Sequence, residues 1–230
     1  MKYQIHAIST GKIESLQYRN DRPMKSALNK KPIQDKVWLS QTGLITDEQE
    51  YKDHGGPDKA LCLYSYSHYD MWKEVIQPLP DYALFGENLT VHHVDETTLF
   101  FGDQYQLGEA RIEVSEIREP CWKIQSKYGY PHLVKDMTSS GKTGCYFRVL
   151  QEGYVSPNDD LQLIKSAPEA TRLSVQELND IYYNDRRNKD RLAYAIQNPF
   201  LTQKRRQKLE KMLARPVSYT HLTLPTTPYV

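Results

Sequence analysis

Cysteine is scarce in this sequence, with only Cys62, Cys121 and Cys145 among 230 residues. Three scattered cysteines exclude a disulfide scaffold and a zinc ribbon, which need more cysteines at closer spacing. Long apolar runs are also missing: no stretch approaches the roughly 18 apolar residues of a membrane span, and the N-terminal residues lack the apolar segment of a signal peptide. We therefore expect a soluble, reduced protein of the cytoplasm that does not associate with membranes.

Neither sign of charge is in excess, because 30 Lys and Arg residues balance 29 Asp and Glu residues to a formal net charge of +1. Proteins that bind nucleic acid without sequence preference usually carry a clear excess of positive charge. The balance argues against nucleic acid as a partner. The basic run at residues 204–208 is interpreted as the solvated face of a helix, with a local nucleic-acid or partner patch as the alternative.

Residues up to about Ser166 contain short apolar runs separated by Gly and Pro. Between Arg111 and Ile117 apolar and polar residues alternate, which is the period of a half-buried strand. Gly108-Glu109 predicts a hairpin that joins this strand to residues 105–107. Further strands are predicted at residues 3–8, 37–39, 60–64, 89–92, 145–150 and 161–164, and one helix near residues 67–75. So many short strands favour a barrel or a sandwich.

A change of pattern after Pro168 predicts a small helical extension. Ser174 and Glu177 form a capping-box signature, and apolar residues then follow at spacings of three and four, as in an amphipathic helix. The predicted parts are a β domain at residues 1–167, a three-helix extension at residues 168–214 and a disordered or non-native tail at residues 215–230. The apolar side chains of the helices that we expect to be buried are Val175, Leu178, Ile181, Leu209, Met212 and Leu213.

Two adjacent glycines mark the first of three segments that could carry chemistry, at residues 53–60. Gly55 and Gly56 permit positive φ and a close approach of a ligand to the backbone. Consecutive N–H groups in such a turn can bind an anion, and Lys59 would add a positive charge. A tight polar turn without a ligand fits the same residues, and the regular phosphate-loop and dinucleotide-binding glycine patterns do not occur.

The other two segments surround Asn88 and Cys121. Residues 85–90 form a turn before a strand, which is either a connector or the site of an amide that donates to a ligand carbonyl or phosphate. Cys121 follows a proline at the end of a predicted strand, between Arg118 and Lys123, whose charges favour the nucleophilic thiolate. The other two cysteines lie in apolar runs, where a buried structural cysteine is the usual outcome.

Taken in order, these segments resemble the MOSC domain family and, within it, the bacterial YiiM-type subgroup, in which three helices follow the domain. The resemblance rests on residues 43–47, His54-Gly55-Gly56-Pro57-Asp58-Lys59-Ala60, Phe85-Gly86-Glu87-Asn88-Leu89 and a single cysteine after a strand. It covers nearly the whole chain up to about Ala214, with Thr46 standing where the family usually has Gly. It implies a mainly β fold: a MOSC-type β-barrel with a few helices, followed by a small α-helical C-terminal extension.

The resemblance also implies a molybdenum cofactor (molybdopterin), a pterin that carries a phosphate and a dithiolene-bound molybdenum. Cys121 would be the catalytic residue and would supply a further thiolate to the metal, because thiolates suit a metal already bound by sulfur. The resemblance implies that the pterin and its phosphate are held, or their charge offset, by His54, Gly55, Gly56, Asp58, Lys59, Glu87, Asn88, Arg118 and Lys123.

Members of the subgroup reduce N-hydroxylated compounds, such as hydroxylaminopurines, amidoximes and hydroxamates, to the parent amine or amidine. The resemblance implies this activity here, with electrons from separate flavin or iron–sulfur redox proteins, because the chain has no motif for either group. One alternative is a non-redox carrier of sulfur or of the molybdenum cofactor that acts through a persulfide on Cys121. Another is an interaction module built on the basic C-terminal helices. A homodimer is one option for the assembly.

Overall fold

The computed structural model describes residues 1–17 and 23–215. Its strands are β1 (Lys2–Thr10), β2 (Glu14–Gln17), β3 (Pro23–Ser26), β4 (Lys31–Pro32), β5 (Val37–Ser40), β6 (Gly43–Leu44), β7 (Leu61–Ser65), β8 (Leu89–Val91), β9 (Gln104–Leu107), β10 (Ala110–Ile117), β11 (Cys145–Gln151), β12 (Gly153–Val155) and β13 (Asp160–Lys165). Its α-helices are α1 (Trp122–Tyr128), α2 (Leu133–Ser140), α3 (Val175–Asn179), α4 (Lys189–Ile196) and α5 (Gln203–Leu213). Short 3-10 helices occur at Lys52–His54, Pro57–Lys59, Tyr66–Trp72 and Glu169–Thr171, and a π-helical turn at Asp180–Asn184 follows α3.

Seven of these strands close into a barrel. They follow one another in the order β13, β9, β10, β11, β7, β8 and β1, and the pairing of β1 with β13 completes the ring. Neighbours in the ring are antiparallel except β7 and β8, which are parallel. Closure pairs both sides of every strand in the ring. The predicted mainly β barrel with a helical extension is thus confirmed.

The strand β10 shows how the wall of the barrel is built. Ile112 and Val114 are fully buried in the apolar core, as the period of two predicts. The acidic residues Glu113 and Glu116 of the same strand are also buried, with 6% and 4% of their surface exposed. Their carboxylates pair with arginines from β11 and from α5. This strand is therefore enclosed on more than one side, and α5 of the extension contributes to the enclosure.

Two helices between β10 and β11 have no counterpart in the sequence prediction. Only Ile124 is buried in α1, and only two residues are buried in α2, so neither helix has a long apolar stripe by which to recognise it. They end at Gly129 and Gly141, which adopt the left-handed conformation. The helix expected at residues 67–75 is a 3-10 helix at Tyr66–Trp72. The short strands β2, β3, β4, β6 and β12 were likewise not predicted.

The C-terminal extension contains the three predicted helices. Ser174 and Glu177 form the predicted capping box at the start of α3. The expected apolar stripe is buried, apart from a half-buried last member: Val175, Leu178, Ile181, Leu209, Met212 and Leu213. Most of these side chains join the barrel residues in one continuous apolar core. The tail predicted from residue 215 lies, from residue 216 onward, outside the described residues.

None of the helices in residues 1–17 and 23–215 combines the length and apolarity of a membrane span.

Candidate functional site

A cavity opens where four segments of the chain meet. These segments are the connection from β3 to β4, the loop that follows β6, the turn before β8 and the connection from β10 to α1. The space between its walls, including the open solvent at its mouth, amounts to about 670 Å³. Its walls include residues 26–28, Lys30, residues 47–50, His54, Cys62, residues 85–86, Asn88, residues 118–119, Cys121, residues 123–124 and Tyr146.

Two of the three cysteines line this cavity. Cys121 is half-buried and is the residue immediately before α1, where its carbonyl accepts a 3.1 Å hydrogen bond from the Ile124 N–H. Cys62 is 6% exposed and lies in β7, and burial raises the pKa of its thiol. Cys145 is fully buried in the apolar core, and its thiol pKa is raised even more clearly by the same cause. Cys121 is thus the most accessible of the three thiols. Cys62 also lines the cavity, although its apolar run indicated a purely structural cysteine.

Arg118 brings a buried positive charge to the cavity. Only 6% of the residue is exposed. Its Nη2 donates to the carbonyl of Phe85, while its Nη1 is buried and has no hydrogen-bond partner among the described residues. In that part of the chain no carboxylate forms an ion pair with Arg118 either. A buried guanidinium donor without an acceptor is costly, so this group is suited to an anion that enters the cavity.

Beside Arg118, a hydrogen-bonded network fixes one wall of the cavity. The Lys30 ammonium pairs with the Asp47 carboxylate, and these side chains are 7% and 3% exposed. Asp47 also accepts a 2.8 Å hydrogen bond from Asn88 Nδ2, while Asn88 Oδ1 accepts one of 3.1 Å from the Cys62 N–H. Asn88 therefore serves mainly to join two walls. Lys30 was missed, because it stands in a short polar run with no pattern.

His54 and Lys123 also line the cavity. Burial lowers the pKa of His54 to about 4, and the nearby charges of Arg118, Lys59 and Lys123 act in the same direction. The imidazole is therefore neutral at pH 7 and adds no charge to the cavity. Lys123 pairs with Glu50 and donates a 2.9 Å hydrogen bond to the Lys25 carbonyl. Its charge is thus already partly balanced.

Not every predicted site residue reaches this cavity. Gly55, Gly56, Asp58 and Lys59 line a separate shallow depression, together with Thr202 and Lys204 of the extension. Asp58 forms a 3.0 Å ion pair with Arg148, and Lys59 Nζ donates 2.7 Å to the Asp53 carbonyl. Gly56 has a φ of +100° and open space around its Cα, so a ligand could approach its backbone as the glycine pair predicts.

Glu87 also lies outside the cavity. It is fully buried, and its carboxylate accepts hydrogen bonds from the backbone N–H groups of Leu84, at 3.0 Å, and Phe85, at 2.9 Å. The hydroxyl of Tyr69 donates to the same carboxylate. Glu87 therefore shapes the turn that carries Phe85 and Asn88, and its oxygens are engaged within the protein.

Two families of known proteins match successive parts of the chain. Residues 50–162 match the MOSC domain, and residues 173–215 match the YiiM-like, 3-alpha helix domain. Over 178 residues the chain is 35% identical to the protein YiiM of Escherichia coli, and this matched stretch makes up 74% of this chain and 76% of that protein. The chain belongs to the MOSC domain family. Its order of a MOSC domain followed by a three-helix domain is that of the YiiM-like members.

A solved structure and a second relative agree with this membership. The crystal structure of YiiM from Geobacillus stearothermophilus superimposes with a TM-score of 0.77 at 32% identity, over 92% of this chain and 100% of that chain. A protein named "Reductase" from Gibberella moniliformis is 33% identical over 158 residues, which is 66% of this chain but only 28% of that longer protein. The fold of that YiiM protein is therefore shared along nearly the whole chain, and one relative is named for redox chemistry.

Proposed function

We propose that this MOSC protein is a molybdenum-cofactor-dependent reductase of N-hydroxylated compounds. In the overall reaction an N–OH group takes up two electrons and two protons, and the products are N–H and water. The electrons come from separate flavin or iron–sulfur proteins, and the substrates are small hydroxylaminopurines, amidoximes or hydroxamates. Membership of the MOSC family and the relative named "Reductase" support an oxidoreductase.

The observation that carries the proposal is the meeting of a thiol and an unpaired guanidinium in one cavity. Cys121 offers a soft sulfur ligand, and Arg118 Nη1 is a buried donor without an acceptor among the described residues. The molybdenum cofactor has both complementary groups, a metal that already binds sulfur and an anionic phosphate. The residues therefore fit the cofactor in their chemistry.

The charges of the cavity support the same fit. Each carboxylate of the lining has a cationic partner in the protein, namely Asp47 with Lys30, Glu48 with Lys12, Glu50 with Lys123, and Glu119 with Arg205 and Lys208. Arg118 alone among the charged residues of the lining lacks an oppositely charged partner in the described part of the chain. An anionic ligand would balance that charge, whereas a cationic one would not.

When bound, the cofactor supplies the two-electron chemistry that removes the oxygen of the N–OH group. The protein must then deliver protons near the departing oxygen. Tyr146 lines the cavity and is 8% exposed, and burial raises its pKa, so its hydroxyl keeps its proton at neutral pH. His54 is neutral and offers one N–H donor and one lone pair. Both can hydrogen-bond a substrate hydroxyl without adding charge.

The test is to purify the full chain from a host that makes the cofactor and to measure its molybdenum content. Reduction of a hydroxylaminopurine is then followed with reduced methyl viologen as electron donor. We expect stoichiometric molybdenum and turnover in the wild type, and loss of both in Cys121→Ser. Molybdenum without turnover, together with cyanide-releasable sulfur on Cys121, would favour the persulfide carrier instead. Absence of molybdenum from the wild type would contradict the proposed reductase.

A further inference from the structure

A buried arginine of the extension reaches the segment that carries Cys121. Arg205 lies in α5, and its side chain is 1% exposed. Its Nε donates 2.8 Å to Glu116 of β10, and its Nη2 donates 2.7 Å to Glu119. Glu119 lines the cavity and stands two positions before Cys121. One side chain thus connects the three-helix extension to the cavity wall.

The carboxylate of Glu119 is held entirely by the extension. Its Oε1 accepts hydrogen bonds from Arg205 and, at 2.5 Å, from Lys208, while its Oε2 accepts one of 3.4 Å from the Tyr182 hydroxyl. No barrel side chain in the described residues donates to it. The Arg205 guanidinium also lies 4.3 Å from the centre of the Tyr182 ring, which restricts its orientation further. Burial opposes ionisation of Glu119, yet Arg205 and Lys208 lower its pKa overall.

Such a network adds little to the stability of the protein, because burying an ion pair costs about as much free energy as the attraction between the charges returns. It does fix the positions of its members, because a guanidinium has donors in fixed directions. Arg205 uses two of them on two carboxylates, Glu116 at the end of β10 and Glu119 in the connection from β10 to α1. The segment between these anchors and α1 contains the cysteine, which a reaction would need at a defined position.

We propose that Arg205 is a positioning residue and that the three-helix extension is part of the Cys121 site. Arg205 holds Glu119, and Glu119 holds the backbone of residues 119–121, so that the thiol faces the cavity. The consequence for turnover rests on the reductase function proposed above. The placement of the thiol does not, and it can be measured on the full chain prepared without cofactor.

The first measurement is the rate at which iodoacetamide alkylates each cysteine, resolved by peptide mass spectrometry. In Arg205→Met we expect alkylation of Cys121 to rise at least about fivefold, because the segment opens locally. The fully buried Cys145 should stay protected and so report an intact barrel. The control is Arg191→Met, which removes ion pairs of 2.6 and 3.0 Å within the same extension without touching the cavity. It should leave the Cys121 rate unchanged.

A milder variant guards against a failure to fold. Glu119→Gln keeps the shape of the side chain but removes its charge, and it should raise the Cys121 rate in the same direction. In protein loaded with cofactor, Arg205→Met should lower kcat up to about 100-fold, the effect of a displacement of about 1 Å, with KM changed by less than about twofold.

Two results would overturn the inference. The first is an unchanged Cys121 rate in both Arg205→Met and Glu119→Gln. The second is an equal rise in Arg191→Met, which would mean that any weakening of the extension has the same effect. A wild type without turnover would instead remove the proposed function and leave the alkylation result standing.

Discussion

Replacement of Arg118 by methionine should separate ligand binding from stability. Methionine has a similar length and fills the space, but it removes the buried guanidinium whose Nη1 has no partner in the described residues. Hydrogen bonds to charged groups contribute about 1.5–3 kcal/mol. If Arg118 binds the anionic part of a cofactor, Arg118→Met should therefore weaken retention about 10- to 150-fold.

The cofactor-free protein should respond differently. Arg118 has no carboxylate partner in the described residues, and its one side-chain hydrogen bond goes to the Phe85 carbonyl. Loss of that bond costs about 1 kcal/mol, while removal of a buried, unbalanced charge relieves a desolvation penalty of similar or larger size. The free energy of unfolding should thus stay within about 1 kcal/mol of the wild type, or rise. A structural ion pair would instead lose about 3–5 kcal/mol.

Molybdenum content of the purified protein and urea unfolding of the cofactor-free protein measure the two effects. The control is Arg172→Met, since Arg172 also has a buried nitrogen without a partner in the described residues but does not line the cavity. It should keep its molybdenum. Full molybdenum in Arg118→Met, or a loss of stability as large as for a broken ion pair, would refute the reasoning.

Three further predictions concern other parts of the chain. Cys121→Ser should abolish molybdenum ligation and turnover while the fold stays unchanged. Cys62→Ser and Cys145→Ser should mainly lower the free energy of unfolding, by about 1–3 kcal/mol, because each places a hydroxyl in an apolar strand. Activity assays and calorimetry distinguish these outcomes. Because the pKa of His54 is lowered to about 4, the unfolded chain binds more protons than the folded protein between pH 6.5 and 4, so stability should fall as the pH falls through that range. Urea unfolding should show a loss of at most about 3 kcal/mol from this group, and less where water screens the ring. His54→Asn should lack this contribution. Ser174→Ala should cost about 1 kcal/mol through loss of the capping box, with turnover unchanged.

The barrel could be predicted because its strands are short apolar runs between turn residues, with a period of two between Arg111 and Ile117. Residues 111–117 and 145–150 were located this way, and so were the helices of the extension, which have apolar stripes and a capping box. The closing of the ring between β1 and β13 could not be predicted from local patterns, because it joins the two ends of the domain. Nor could α1, since Ile124 is its only buried side chain.

The candidate site was predictable where one short segment carried several chemical groups. Arg118, Cys121 and Lys123 occur within six positions, and all three line the cavity. Glu87 came from the same kind of motif, yet it does not line the cavity and its carboxylate binds backbone N–H groups of its own turn, because a motif does not record whether a residue touches a ligand or shapes a turn. Arg205 had no local signal at all: its contacts to Glu116 and Glu119 join residues more than 80 positions apart.

The charges of the cavity connect the two parts of the chain. Four carboxylates line it: Asp47, Glu48 and Glu50 pair with Lys30, Lys12 and Lys123, which precede the extension, whereas both cations at Glu119 come from α5. The extension therefore does more than cover apolar surface. Its α5 pairs with Glu119, and among the charged lining residues in the described part of the chain Arg118 alone has no ion-pair partner. This unbalanced charge and the thiol of Cys121 are the two features on which the proposed binding of an anionic, sulfur-bound metal cofactor rests.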